Sequence, residues 1–141
     1  MLANSPIYAL LLILLGGSLG CKQEKTLTAD ELRSELKSIG SVASETKLFV
    51  AQIHEHRVTR AFAREHLNYL RDQNEETLDD LAKACMTGQN NTTLQEARSQ
   101  AAELSGQLSE LSASVQHLPA DSVSRIDRIL SQNQKLQASL K

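Results

Sequence analysis

Four histidines and a run of arginines are the side chains in this chain best placed to do chemistry. His54, His56, His66 and His117 are candidate ligands for zinc or copper, because a neutral imidazole nitrogen is a good donor to either metal. On a helix, His54 and His56 diverge by about 160°, so both can reach one ion only if the helix ends between them. Arg57, Arg60, Arg64 and Arg71 fall within about 60° of one helix face at 100° per residue. They form a candidate partner-binding stripe for a protein, an anionic surface or a second copy of the chain. Farther along come Asp72, Glu75, Glu76, Asp79 and Asp80. Basic residues first and acidic residues last oppose the helix dipole. Two arrangements offset that cost. One pairs the arginines with Glu45 and Glu55 of the preceding helix. The other pairs them with an external partner, including a second copy lying antiparallel.

The familiar catalytic and cofactor patterns do not occur. The sequence has no Glu-x-x-His for a di-iron site, no Cys-x-x-Cys-His for haem and no His-Glu-x-x-His for zinc hydrolysis. It also lacks a glycine-rich phosphate loop, and the chain therefore reads as a non-enzyme. Its 15 basic residues nearly balance 17 acidic ones, which gives no general attraction to nucleic acid. The aromatic residues are Tyr8, Phe49, Phe62 and Tyr69, with no tryptophan, so a core must be built from aliphatic side chains. Beyond residue 27 Pro119 is the single proline, and glycine occurs only at Gly40, Gly88 and Gly106. So few breakers favour long helices.

Residues Ile7 to Leu15 form an uninterrupted apolar run, followed by Gly16, Gly17 and Ser18 and then Leu19-Gly20-Cys21. The run is shorter than the roughly 20 residues a membrane-spanning helix needs, and its small-residue exit is that of a signal peptide. Ser18-Leu19-Gly20-Cys21 resembles the lipobox of bacterial lipoproteins. The resemblance implies cleavage before Cys21, a diacylglycerol on its sulfur and an acylated amine. It also implies residence in the cell envelope, facing the periplasm, and Lys22 after the cysteine is compatible with the outer membrane. Acyl chains at about 0.8 kcal/mol per buried methylene make a stable anchor. Residues 21–27 are then anchor and linker, with a reach on the order of 20 Å. With Cys21 lipidated, Cys85 reads as a small buried residue on a helix seam beside Leu81.

Apolar spacings of three and four predict helices over about 29–55, 60–87, 93–118 and 121–140, the second burying Phe62, Ala63, Leu67, Leu70, Leu78, Leu81 and Cys85. Thr28 with Glu31 and Thr93 with Glu96 read as capping boxes, Thr59 as the cap of the second helix and Asp121 as that of the last. One helix continued past residue 55 would place the arginine stripe in its core, so a reversal is expected at 56–59. The expected fold is all-α: an up-down-up-down four-helix bundle over 28–141, or alternatively an extended helical hairpin that oligomerises. In the bundle the four histidines and Asp121 collect at the pole away from the anchor. The functional expectation is a membrane-tethered interaction or structural lipoprotein with a protein partner or a second copy. The alternatives are a metal-binding or metal-sensing lipoprotein and a factor that binds anionic lipid.

Overall fold

The computed structural model describes residues 25–140; the leader, Cys21 and Lys22 lie outside the described residues. Thr28 closes its capping box at the start of α1 (Ala29–His54). Its Oγ1 accepts from the Glu31 amide at 3.2 Å, and Glu31 Oε2 accepts from the Thr28 amide at 2.8 Å. Two amides that the helix leaves unpaired are thereby satisfied. The far end of α1 closes just as locally. The Arg57 amide donates to the Gln52 carbonyl at 3.0 Å and the His56 amide to the Ile53 carbonyl at 3.1 Å. His56 between them takes a φ of 55°, the left-handed conformation usually given to glycine at this place in the motif. The chain turns, and Thr59 opens α2 (Arg60–Ala82) by accepting from the Phe62 amide at 3.3 Å.

α2 ends before the expected residue 87. Ala84–Cys85 leave the helix as a short strand, β2, paired in parallel with Lys25–Thr26, β1. The Leu27 amide extends this pairing to the Cys85 carbonyl at 3.0 Å. Arg98 explains the early stop. Its guanidinium donates to the carbonyls of Leu81 at 2.8 Å, Ala82 at 3.3 Å and Ala84 at 2.6 Å. A cation on the last carbonyls satisfies them and suits the negative end of the dipole. Cys85 therefore does not lie on a helix seam: it is half-buried in β2. Leu27 is buried in the core, so the segment expected as linker already belongs to the fold from Lys25 onward.

α3 (Asn90–Ala113) also begins earlier than expected, because Gly88, with a φ of 69°, turns the chain ahead of it. Thr93 is consequently buried inside the first turn, and the capping box expected with Glu96 does not form. Leu94, Ala97, Ala101, Leu104, Leu108 and Leu111 make the buried seam. The helix stops short of 118, and Val115 remains in the core from the turn that follows. α4 (Ser122–Ser139) buries Ile126, Ile129 and Asn133. Asp121 stands at its start without capping it; the carboxylate instead accepts from Arg125 Nε at 2.6 Å.

Polar contacts give the direction of each neighbour. Ser38 meets Thr77 at 3.2 Å and Glu45 meets His66 at 3.0 Å, so α1 and α2 are antiparallel. Asn68 with Ser112, and Asn74 with Ala101, do the same for α2 and α3. Glu103 with Arg128, and Glu110 with Arg125, join α3 to α4. Lys47 and Asp127 at 2.6 Å help close α4 onto α1. The molecule is an up-down-up-down four-helix bundle, not an extended hairpin. α1 packs most extensively on α4 and α2 on α3, while the α1–α2 seam is thinner.

One buried amide sets the α1–α4 register. Asn133, 1% exposed, donates from Nδ2 to the Leu36 carbonyl at 2.9 Å and to Gln100 Oε1 at 2.8 Å. Its Oδ1 accepts from Gln137 at 2.6 Å. A Cβ on Gly40 would lie 3.0 Å from that oxygen, and an amide held on both sides cannot move away. Gly40→Ala should therefore destabilise the fold by about 1–2 kcal/mol in urea unfolding. Overpacking outweighs the roughly 1 kcal/mol that alanine contributes to a helix. In the Asn133→Ala background the same substitution should be neutral or stabilising; equal effects in both backgrounds would rule out this contact as the cause.

Candidate interaction surfaces

The reversal at 55–59 builds the pole away from β1. A shallow crevice of about 210 Å3 opens there, lined by His54, His56, Arg60, Val115 and Leu118 among others. His54, His56 and His117 are exposed. His66 is not at this pole. It lies on the side of α2 that faces α1, with Nε2 3.0 Å from Glu45 Oε1 and its ring centroid 4.4 Å from that of Phe49. The four imidazoles expected to gather around zinc or copper therefore do not converge. Among the described residues no three histidine, cysteine, aspartate or glutamate side chains stand close enough to share an ion.

The arginine stripe divides into paired and unpaired members. Arg57 lies in the turn, its Nε 2.8 Å from the Glu55 carboxylate. Arg71 sits 3.0 Å from Asp72 and 3.6 Å from Glu75 on its own helix. Glu45, expected to meet an arginine, is taken by His66. Arg60 and Arg64 are exposed and form no ion pair among the described residues.

A second surface escaped the sequence reading. Phe62, expected in the core, is 52% exposed, and Tyr69 is 55% exposed. The buried arc of α2 runs through Ala63, Leu67, Leu70, Asn74, Thr77 and Leu81. Phe62 precedes that arc by one residue, a rotation of about 100° toward solvent and α1. The Phe62 ring stacks on His66 at 5.8 Å, and His66 on Tyr69 at 6.0 Å. Phe49 meets Phe62 edge-on at 5.9 Å from across the seam. The spacing 62, 66, 69 was the available signal, since residues four and seven apart share a helix face. Toward the β1 end, the cluster continues into an open groove of about 440 Å3 between α1 and α2. Ser38, Ser41 and Glu45 line one wall and Gln73, Glu76, Thr77 and Asp80 the other.

No family model, curated protein or solved structure matches the chain. Among the described residues no helix is long and apolar enough to cross a membrane.

Charge is uncomfortable near the β1 end of the groove. Burial pushes the Glu35 carboxyl above the usual carboxylate range, and Asp80 and Glu31 push the same way against an opposing pull from Lys25. A group whose folded pKa is raised favours folding while protonated, so this contribution fades as pH rises through the folded value. At neutral pH the ionised Glu35 therefore destabilises the fold. Glu35→Gln should raise the melting temperature at pH 7, and the gain should vanish at pH 3.5, where the wild-type carboxyl is neutral. A gain of equal size at both values would contradict a charge origin.

Proposed function

We propose that the chain is a non-enzymatic interaction module of the bacterial envelope, tethered by lipid on Cys21. It holds the pole with Arg60 and Arg64 toward a protein partner in the periplasm. The pinning of β1 to β2 is the observation that supports this reading. Cys21 precedes Lys25 by only four residues, a reach of about 14 Å, so a lipid there keeps the β1 end close to the membrane. α1 then carries the opposite pole outward by 26 residues, about 39 Å at 1.5 Å per residue. At that pole two guanidinium groups stand without an ion-pair partner among the described residues, and a guanidinium recognises carboxylates through a planar fork of donors.

Two experiments address the two halves of the proposal. Cys21→Ser should abolish incorporation of labelled palmitate and release the protein from the membrane fraction; a labelled, sedimenting variant would remove the tether. A photo-crosslinking residue in place of the exposed Ala61 should give a discrete adduct in cells. Arg60→Glu with Arg64→Glu should reduce that adduct at least tenfold, whereas an unchanged adduct would exclude the arginine pair. An adduct of twice the monomer mass would identify the partner as a second copy.

A further inference from the structure

The α1–α2 seam is a second surface, on the side of α2 turned away from the arginines. At 100° per residue Phe62 and Tyr69 lie roughly 140–180° around the helix from Arg60, Arg64 and Arg71. Two half-exposed rings are a large apolar area for a chain with so few aromatics, and such patches mark contact sites. The groove beside them carries Glu45, Glu76 and Asp80 and, among the described residues, no basic side chain in its lining. The two parts form one continuous surface, because Glu45 holds His66 and Gln73 donates to the Tyr69 hydroxyl at 2.7 Å.

We propose that this seam docks a cationic segment of a partner protein, with basic side chains over Glu45, Glu76 and Asp80 and an apolar residue against Phe62 and Tyr69. Charge complementarity selects this occupant over a neutral or acidic one. The like-charge stress that Asp80 places on Glu35 is relieved when a cation sits between the helices. The gradient along the seam fixes a direction: the basic end lies toward β1 and the apolar end toward the distal pole.

The test uses the full-length lipidated chain in neutral phosphatidylcholine nanodiscs. The probe is a short fluorescein-labelled peptide with lysines along one end and two leucines at the other. Its control carries glutamates in place of the lysines. Fluorescence anisotropy should show saturable binding of the lysine peptide that weakens as salt rises, and no binding of the control. Glu76→Lys with Asp80→Lys should weaken binding at least tenfold. Phe62→Ala with Tyr69→Ala should weaken it about fivefold, the equivalent of roughly 1 kcal/mol. Arg60→Glu with Arg64→Glu should leave it unchanged, which separates this surface from the pole. Glu96→Lys with Glu103→Lys, on α3, should also leave it unchanged. Equal losses from the α3 pair and the groove pair would reduce the effect to net charge and overturn the proposal. Wild-type binding by the aromatic double variant, or equal binding of the glutamate peptide, would overturn it as well.

Discussion

A guanidinium is costly in a hydrocarbon core, and this chain places Arg57, Arg60, Arg64 and Arg71 just beyond its first helix. Continued past His54, α1 would carry Arg57, Arg60 and Arg64 along its buried arc, each at a cost of several kcal/mol. The reversal at 55–59 removes that cost by starting a new helix with a new rotation. Its local chemistry is sufficient for the turn: two amide bonds back into α1, a left-handed residue at His56 and the Thr59 cap. The antiparallel α1–α2 pair, the distal pole and the seam between the helices all follow from that turn.

The second helix carries most of the surface chemistry and is electrically the least favourable element. Its first turn holds Arg60 and its last turn Asp79 and Asp80, so its own charges run against its dipole. Relief comes from α3. The Arg98 guanidinium covers the last carbonyls of α2 and the first of β2, and does from outside what a basic residue in the last turn would do from within. The same contact holds the loop against which β1 pairs. One arginine thus links the stability of α2 to the position of the chain that leads back toward Cys21.

Buried polar groups in the bundle appear as discrete links between helices. Asn133 with Gln100 and Leu36 joins three helices, and Asn74 joins α2 to α3 at Ala101 and Ser105. An aliphatic seam repeats every few residues and tolerates sliding, whereas Asn133 meets its partners in only one register. Such links give a small, leucine-rich bundle a single arrangement.

Much of the architecture was legible in the order of residues. Spacings of three and four gave four helices, Thr28 with Glu31 gave the first cap, and the cost of burying Arg57 to Arg71 gave the reversal. These follow from local geometry and burial, which act over a few residues. Helix ends departed from the pattern for two reasons: Arg98, from the next helix, covers the carbonyls that end α2 at Ala82, and Gly88 turns the chain so that α3 starts before Thr93 can cap it. The pairing of β1 with β2 joins residues far apart in the chain, and no periodicity announces it. Side-chain partners were likewise decided in three dimensions, since Glu45 chooses His66 and not an arginine only because α1 and α2 meet at that height. Phe62 reads as core by type and is surface by rotation, because the arc a helix buries is set by what packs against it.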